Sequence, residues 1–439
     1  MANRSKFQAI KGTRDLLPPE TELWNFVEQK AGEVFATYGF GEIRPPIFEP
    51  TELFARAVGG DTDIVSKEMY SFADRDDTSV SLRPEATASV CRAYIEHNMH
   101  ALPQPVKLYY NGPMFRRERP QKGRYRQFYQ IGAEVLEAVQ PGQDNSRNLD
   151  KDARVDGEVL EMVMEYFAQL GLQNVELHIN SIGHSAPDCR RAYIEKLKFE
   201  LQKVKEQLGA DSQRRIDSNP LRVLDSKLES EQEIISKLPR IADHLCEACS
   251  KHYAELKKQL ELRGVKFQEN WRLVRGLDYY MRTTFEITAK GLGSQNAVCG
   301  GGRYDGLVEL LGGLPTKGIG FAIGEDRLIL SLQEAGQGGP KRAGRDVYVA
   351  WMGEHAQPAA VRAAQTLRRA GLRVELPAAE QKFGKALGQA DKLGARYALI
   401  LGDDEVASGN WTLKTLADGS QAKFTEPALL EFLKAQVRS

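Results

Sequence analysis

Apolar residues follow two periods along this chain, and the changes between them outline its elements. In 21–39 they recur every three or four positions, at Leu23, Phe26, Val27, Ala31, Val34 and Phe35, before Gly39. That spacing predicts an amphipathic helix, and glycine is a common residue at a helix end. Alternation with a period of two predicts strands at 106–115, 125–136, 176–183 and 282–288.

Two of these strands flank the most basic stretch of the chain. Between them Glu118 is the one acid among six cations, with turn-forming Pro120 and Gly123; the cations are Arg116, Arg117, Arg119, Lys122, Arg124 and Arg126. The pattern predicts an antiparallel hairpin with a long basic tip.

The alternation also divides the second strand of this hairpin into two faces. One face holds Arg124, Arg126, Phe128, Gln130 and Glu134, whereas Tyr125, Tyr129, Ile131 and Val135 share the other. Ionised groups are costly to enclose in a core. The polar face therefore indicates a site for a charged ligand, and the alternative is a solvated surface hairpin.

The segment before this hairpin adds a second candidate carboxylate. Pro45 and Pro46 restrict 39–50 to an edge or interface strand. A hairpin over 68–82 leads into a helix whose first turn contains Glu85 and Thr87. Glu85 is either a carboxylate favoured by the helix dipole or an acid that binds a cation such as an α-amino group.

Two glycine-rich stretches follow later in the chain. The sequence 295–313 predicts a strand, a tight turn at the triple glycine 300–302 and a helix, with Tyr304 and Asp305 as a helix cap or a pocket wall. The spaced glycines Gly318, Gly320 and Gly324 predict a strand against which a flat ligand can lie. Because a cation is unfavourable at a helix start, Arg327 is interpreted as a ligand contact.

A lysine- and glutamate-rich helical segment, 187–264, interrupts the strand-rich parts and contains His244, Cys246, Cys249 and His252. A CxxC pair with flanking histidines is typical of zinc sites. On one continuous helix, however, Cys246 would lie opposite the other three. We therefore expect a buried thiol and surface histidines, with no metal bound by the protein itself.

These patterns define the fold class and the domain boundaries that we expect. The prediction is an α+β domain on a mostly antiparallel sheet with a helical insertion, followed by a C-terminal α/β domain with a mostly parallel sheet. The boundaries are 1–186 and 265–333 for the first domain, 187–264 for the insertion, 334–344 for a glycine-rich linker and 345–439 for the last domain. That last domain has no nucleotide-binding or nucleophile motif, which favours a binding role.

Composition indicates the cellular environment of the protein but says little about its chemistry. The 439 residues contain 60 Lys and Arg against 60 Asp and Glu, so a contact with a polyanion must come from local patches. No segment approaches the roughly 18 apolar residues of a membrane span, and 1–20 lacks a signal-peptide pattern. Five scattered cysteines favour reduced thiols. We expect a cytoplasmic protein with no membrane partner.

In order along the chain, the motifs resemble those of the histidyl-tRNA synthetase family of class II aminoacyl-tRNA synthetases. GFGEIRPPIFEP, FRRERPQKGRYRQFYQIGAE and GIGFAIGEDR are similar to the three class II motifs. LVRGLDYYMRTTFE and CGGGRYDGL are similar to the two histidine-specific signatures. Essentially the whole chain is covered, and the order of all five motifs is more specific than any one alone.

The resemblance implies a class II catalytic domain, a C-terminal anticodon-binding domain and a homodimer. It implies that ATP, with Mg²⁺, activates L-histidine to histidyl-adenylate with release of pyrophosphate. Histidine is then transferred to the 3′ end of histidine tRNA.

The resemblance also implies roles for individual residues. Arg275 and Arg116 are the catalytic residues, and ATP is bound by Arg116, Arg124 and Arg327. Histidine is bound by Glu85, Thr87, Gln130, Glu134, Arg275, Tyr279, Tyr280 and Tyr304. In the basic tip, Arg119, Gln121 and Arg126 contact the tRNA acceptor end.

Two departures from the family pattern replace no ligand group. Ala86 stands where glycine is common, and Tyr129 stands where histidine is frequent. One alternative to the enzyme is the regulatory subunit that resembles this synthetase and serves histidine biosynthesis. Arg116, Arg275 and the C-terminal domain argue against it. A sensor built on a silent synthetase fold is disfavoured because no effector domain accompanies it.

Overall fold

The computed structural model describes residues 7–59, 62, 64–139, 149–274, 279–289, 296–337 and 344–437. The chain divides into two compact units, 1–339 and 340–439. Each unit has its own apolar core, so each is described by itself. None of the helices in these ranges is long and apolar enough to cross a bilayer.

A large mixed sheet organises the first unit. Its strands and those of a smaller sheet are β1 (Gly41–Glu42), β2 (Phe48–Pro50), β3 (Tyr70–Ala73), β4 (Ser79–Leu82), β5 (Val106–Phe115), β6 (Gln127–Ala138), β7 (Val175–Ser181), β8 (Gln268–Glu269), β9 (Met281–Ala289), β10 (Ala297–Arg303) and β11 (Thr316–Gly324). The large sheet has the order β1-β5-β6-β11-β10-β9-β7-β8, and β2-β4-β3 form the small one. Only the edge pairs β1/β5 and β7/β8 are parallel among these strands, which confirms the predicted, mostly antiparallel sheet.

Helices cover the apolar side of this sheet. The first unit contains α1 (Glu20–Thr37), α2 (Thr51–Val58), α3 (Thr87–Glu96), α4 (Leu149–Gln169), α5 (Ala192–Lys203), α6 (Ala210–Ser218), α7 (Glu229–Ser236), α8 (Glu247–Leu262), α9 (Leu307–Leu310) and α10 (Glu325–Glu334). Phe35 of α1 contacts Tyr166 of α4 and Phe321 of β11, with ring centroids 5.5 and 5.8 Å apart. The predicted apolar face of α1 is buried at Leu23, Val27, Ala31, Val34 and Phe35, and Gly39 has φ +81°. The sequence patterns did not reveal α4.

The predicted basic hairpin is present as β5 and β6. They pair antiparallel from Val106 opposite Leu136 to Phe115 opposite Gln127, and 116–126 form the tip. The second strand begins at Gln127, two residues later than the alternation predicted. Arg124 and Arg126 therefore belong to the tip, and the prediction that both continue the polar face of the strand was wrong.

The triple glycine 300–302 does not form the tight turn that was predicted. These residues lie inside β10, paired with β9 on one side and β11 on the other. A Cβ at Gly301 would lie 2.2 Å from the carbonyl oxygen of Gly320. The glycines are thus required because two neighbouring backbones approach closely in the middle of the sheet.

The helical insertion contains α5 to α8, but its cysteine motif is arranged differently from the prediction. Cys246 is the extended residue before α8, with φ −63° and ψ 163°, and His244 ends a separate helical turn, Ile241–His244. His252 is fully buried beside Asp156, so the prediction of a surface histidine was wrong for this residue. The continuous helix used to argue against a metal site does not exist.

The second unit is a five-stranded sheet with helices. It contains β12 (Val347–Met352), β13 (Val374–Glu375), β14 (Tyr397–Gly402), β15 (Trp411–Thr415), β16 (Gln421–Phe424), α11 (Ala356–Arg369), α12 (Phe383–Lys392), α13 (Asp403–Ser408) and α14 (Glu426–Val437). The order is β13-β12-β14-β15-β16, with two parallel and two antiparallel pairs. The prediction of a mostly parallel sheet was wrong, because β15 and β16 add two antiparallel pairs at one edge.

Candidate active site

A cavity of about 280 Å³ lies on the large sheet, beside the N-terminal ends of α3 and α10. Its walls come from strands β6, β9, β10 and β11, the start of α3, the start of α10 and the hairpin tip. Most of the predicted site residues line it: Glu85, Thr87, Arg116, Arg124, Gln130, Glu134, Tyr279, Tyr280, Tyr304 and Arg327. Residues of β6 and β11, which are distant in the sequence, thus reach one cavity because these two strands are adjacent.

Glu134 is the most enclosed acid of this cavity, with 1% of its surface exposed. The hydroxyl of Tyr304 donates to its Oε2 at 2.5 Å, and the hydroxyl of Thr87 donates to its Oε1 at 2.8 Å. Burial raises the pKa of Glu134 to about 8, although both hydrogen bonds favour the ionised form. Near neutral pH this carboxyl is therefore mostly protonated in the unliganded fold.

Glu85 lies beside Glu134 and has a structural role as well. Its two oxygens accept the backbone N–H groups of Thr87 at 2.7 Å and Ala88 at 3.0 Å, which satisfies donors at the start of α3. Burial raises the pKa of Glu85, and Arg116 opposes that rise. Both alternatives offered by the sequence are thus compatible, because the helix-start carboxylate also lines the cavity.

Gln130 and three tyrosines complete this end of the cavity. Oε1 of Gln130 is buried and accepts no hydrogen bond from the described residues. A buried acceptor without a donor is unfavourable, so this oxygen is suited to a ligand that brings an N–H group. The rings of Tyr279 and Tyr304 meet edge to face with centroids 5.7 Å apart, and Tyr280 lies 4.7 Å from Tyr279.

Arg116, Arg124 and Arg327 form the cationic end of the cavity. Burial lowers the pKa of Arg124 and of Arg327, and the repulsion among the three guanidinium groups acts in the same direction. Arg116 donates to the carbonyl of Pro84 at 2.9 Å and lies 5.2 Å from the ring of Phe128. Arg327 donates to the carbonyl of Ala297 at 3.0 Å. A bound anion would relieve the repulsion among these cations.

The glycines of β11 make room for side chains of the cavity wall. A Cβ on Gly320 would lie 1.6 Å from Oε2 of Glu134, and one on Gly318 would lie 2.3 Å from the ring of Tyr304. Their predicted role as a flat bed for a ligand was wrong at these two positions. Gly324 has open space where its Cβ would be, as that prediction required.

Four predicted site residues are not among the described residues of the cavity wall. Arg275 belongs to 275–278, which is outside the described residues. Arg119 and Gln121 are exposed on the tip and are not part of the cavity wall. Arg126 packs against Gly12, whose carbonyl accepts its backbone N–H at 2.7 Å.

The sequence interpretation missed three acids of the cavity wall, Glu118, Glu286 and Asp326. Glu118 lies within the basic tip and contacts Arg124, so its sequence position was itself a signal. Glu286 alternates along β9 with apolar Phe285 and Ile287, which are fully buried. A charge at that period in a central strand could have been recognised as pointing to a site.

Two family models match the chain. The histidyl-tRNA synthetase model matches residues 12–328, and the anticodon binding domain model matches residues 346–436. The first match includes every described residue of the cavity wall.

Curated relatives and solved structures agree with these matches. A histidine–tRNA ligase of Solibacter usitatus is 51% identical over 98% of this chain and 99% of the relative. One of Koribacter versatilis is 48% identical over 97% of this chain and 96% of the relative. The apo crystal structure of the Staphylococcus aureus histidyl-tRNA synthetase superposes with a TM-score of 0.79 at 36% identity, covering 98% of this chain and all of that one.

Proposed function

The chain belongs to the histidyl-tRNA synthetase family, and we propose that its cavity holds ATP and L-histidine side by side. The chain is an enzyme of the ligase class that attaches histidine to tRNA. The proposal concerns how it does so: histidine is first activated by ATP to histidyl-adenylate with release of pyrophosphate. Histidine is then passed to the 3′ end of histidine tRNA.

The observation that carries this proposal is that Arg116 belongs to the cationic end of the cavity and also borders the acidic end, where it donates to the carbonyl of Pro84 beside Glu85. Its charge acts on the buried carboxyl of Glu85 at one end and on Arg327 at the other. Attack of the histidine carboxylate on the α-phosphate must occur where the two substrates meet. Such a displacement needs charge neutralisation and alignment more than it needs a protein nucleophile. Arg116 is therefore assigned to the α-phosphate.

The cationic end is assigned to ATP. Arg124 and Arg327 hold the outer phosphates and the adenine region, since their burial among like charges favours an anion. Mg²⁺ is bound mostly by phosphate oxygens, with one or two carboxylates in addition. Glu118 and Glu286 line the cavity and supply such oxygens, and they are the residues that would hold the ion. Bound Mg²⁺ would neutralise charge on the phosphates.

The enclosed acidic end is assigned to histidine. Glu85, Thr87 and Gln130 receive the α-amino group, because the orphaned Oε1 of Gln130 lacks a donor. Glu134 and Tyr280 reach the imidazole nitrogens, and Tyr279 and Tyr304 shape that pocket. A neutral imidazole offers one donor and one acceptor. A carboxyl with a pKa of about 8 can meet either nitrogen.

Arg275 is assigned to the α-phosphate and to the histidine carboxylate, as the family resemblance implies. The exposed tip residues Arg119 and Gln121, together with Arg126, are assigned to the acceptor end of the tRNA. Residues 346–436 are assigned to the anticodon. The setting proposed for this reaction is the cytoplasm.

The small sheet supports the proposal of a homodimer. Paired residues of neighbouring strands share a face, so Phe48 and Leu82 lie on the same side as Val80 and Phe72. On this face Phe48 and Phe72 are 57% and 50% exposed. The other face holds Ser81, which is fully buried. Large apolar side chains exposed on one face of a sheet, here Phe48 and Phe72 on either side of the buried Val80, are typical of a surface that docks on a partner.

We expect Phe72→Glu to shift the protein from dimer to monomer, measured by size-exclusion chromatography with light scattering. A charge on a face that is buried between two copies would have no compensating partner. Phe199→Glu is the control, since Phe199 is 64% exposed on α5 of the insertion. A dimer that survives Phe72→Glu, or a monomeric parent protein, would contradict this assignment.

The activity assignment is tested by ATP–pyrophosphate exchange that depends on histidine. The parent protein should catalyse exchange, and Arg116→Ala should lose about 10²-fold or more, as is typical when a charge-stabilising donor is removed. Arg119→Ala is the matched control and should keep normal exchange while tRNA charging falls. Tight histidine binding without exchange would instead favour a regulatory protein that senses histidine.

A further inference from the structure

Four metal-binding side chains converge at the junction of the insertion and the large sheet. They are His184, Cys189, Cys246 and Cys249, and one donor atom from each lies within 4.8 Å of all the others. Nδ1 of His184 is 3.2 Å from Sγ of Cys249 and 3.8 Å from Sγ of Cys246. These four residues, called the zinc cluster from here on, are separate from the cavity, and none of them lines its wall.

Local backbone structure brings these residues together from three segments. His184 follows β7 after Gly183, which has φ +62°. A Cβ on Gly183 would lie 2.7 Å from Sγ of Cys189, so glycine is required there by both conformation and space. Cys189 has non-helical φ and ψ of −130° and −114° within its short helical turn. Cys246 precedes α8 and Cys249 lies in its first turn.

The dimensions of the cluster suit one tetrahedral ion. With Zn–S bonds of about 2.3 Å and Zn–N bonds of about 2.0 Å, ligand atoms of a tetrahedron lie roughly 3.5–3.8 Å apart. The separations of 3.2 and 3.8 Å between His184 and the two sulfurs, and the upper limit of 4.8 Å for all pairs, are compatible with this range. Cys189 and Cys249 are fully buried, whereas His184 and Cys246 are half-buried. Such a ligand set leaves no open position for a substrate.

We propose that His184, Cys189, Cys246 and Cys249 bind one structural Zn²⁺ per chain. Three thiolates and one imidazole form a donor set that selects zinc over the hard cation Mg²⁺. The alternative use of neighbouring thiols is a disulfide. The pairing of an imidazole nitrogen with three sulfurs in one cluster favours a metal, because a disulfide needs two sulfurs alone.

The surroundings match the charge of such a site. Zn²⁺ with three thiolates carries one net negative charge, and the guanidinium of Arg282 acts on both His184 and Cys249. The backbone N–H of Arg282 donates to the carbonyl of Gly183 at 2.7 Å, which fixes it beside the cluster. The neutral imidazole is the form that binds metal.

The site would fasten the insertion to the sheet next to the histidine end of the cavity. Arg190 follows Cys189 directly and donates to the carbonyl of Tyr280 at 2.6 Å. Tyr280 lines the cavity. The zinc ion would thus hold in place the segment that supports this tyrosine, without taking part in the reaction. Zinc loading itself does not depend on the proposed function, and it can be tested separately.

The test is the metal content of the full-length protein purified without added chelator, measured by mass spectrometry of the elements. We expect about one zinc ion per chain. Cys189→Ser, Cys246→Ser and His184→Gln should each lower the zinc content several-fold. His244→Gln is the matched control and should keep full zinc, because His244 stacks on Tyr193 with ring centroids 5.8 Å apart and is not part of the cluster.

A second measurement uses the unmutated protein, so that it does not depend on the folding of variants. Replacing zinc by Co²⁺ should give the intense visible absorption of a tetrahedral cobalt–thiolate centre, and a chelator should lower the melting temperature. Metal-free protein with freely alkylated thiols would overturn the proposal. A disulfide among these cysteines, or zinc loss in His244→Gln alone, would also overturn it.

Discussion

Glu134 is the residue at which packing and chemistry of the cavity depend on each other most directly. Gly320 leaves the space that its carboxyl fills, and Tyr304 and Thr87 bind its two oxygens. Burial of a carboxyl disfavours its charge more than two hydroxyl donors favour it, so the pKa rises to about 8. The selectivity that we propose for imidazole thus depends on a group whose ionisation is set by its enclosure.

This raised pKa predicts the direction of a pH effect on stability. From its ordinary value of 4.5 up to about 8, the folded protein keeps a proton that the unfolded chain releases. Stability therefore falls as pH rises through this window. Glu134→Gln should remove that loss, so the melting temperature of the variant relative to the parent protein should rise between about pH 5 and about pH 8.

Glu137→Gln is the control for this experiment, since Glu137 lies on the same strand and pairs with Lys151 near the surface. No gain with rising pH is expected for this variant. If Glu134→Gln instead lost stability relative to the parent protein as pH rose, Glu134 would have to be ionised in the unliganded fold.

Arg275 is the predicted catalytic residue for which the sequence is the sole basis. Arg275→Ala should lower histidine-dependent ATP–pyrophosphate exchange by about 10²-fold or more, because a donor to developing charge is lost. Arg272→Ala is the nearby control, as Arg272 donates to Gln232 at 2.8 Å. Near-normal exchange by Arg275→Ala would remove this residue from the active site.

At the scale of elements, a buried ion network joins α4 to the middle of the sheet. Asp156 of α4 is bound by Arg303 of β10 at 2.5 Å and by the hydroxyl of Thr283 of β9 at 2.6 Å. Arg303 also binds Asp305 at 2.8 Å. Burial alone would raise the pKa of Asp156, but the charge of Arg303 outweighs it and holds this pKa well below the usual range. The helix and two strands are thus fixed by charge as well as by apolar packing.

Asp156→Ala should destabilise the first unit by about 3–5 kcal/mol, because Arg303 would lose its closest partner while remaining buried. The measurement is denaturant unfolding of the full chain, monitored by the change in fluorescence of the first unit. Glu233→Ala is the control, since it removes an exposed ion pair between Glu233 of α7 and Lys237. An unchanged midpoint for Asp156→Ala would mean that the network adds nothing to stability.

At the scale of the whole molecule, the chain consists of two units with separate apolar cores and different sites. The first contains the cavity, and the second matches the anticodon binding domain model. Among the described residues, the apolar core of the second unit is formed mainly by β12, β13, β14, β15, α11 and α14. Such independence predicts that activation of histidine and recognition of tRNA can be separated.

Deletion of 345–439 should reduce tRNA charging far more than histidine-dependent exchange. Activation needs only the cavity of the first unit, whereas charging also needs the contact that we assign to the anticodon. The ratio of the two rates in the truncated and full-length proteins is the measurement. An equal loss in both would show that the second unit mainly stabilises the first.

Much of the architecture was predictable because its signals are local. The basic hairpin and the apolar face of α1 depend on periods of two and 3.6 residues, which the sequence displays directly. The order of the motifs was recognised through the resemblance to the family. The errors occurred where the local signal was ambiguous. The triple glycine looked like a turn but lies in β10, and the CxxC pair looked helical throughout although α8 begins after Cys246.

By itself, the sequence determined which side chains this protein has available for its reaction and, through resemblance, which family uses them in this order. Tertiary structure alone decided which groups meet and which are shielded from water. The pairing of β6 with β11 placed Gly320 opposite Glu134 and thereby set its pKa. Desolvation and the convergence of distant segments depend on contacts between elements, and no local period of the chain encodes them.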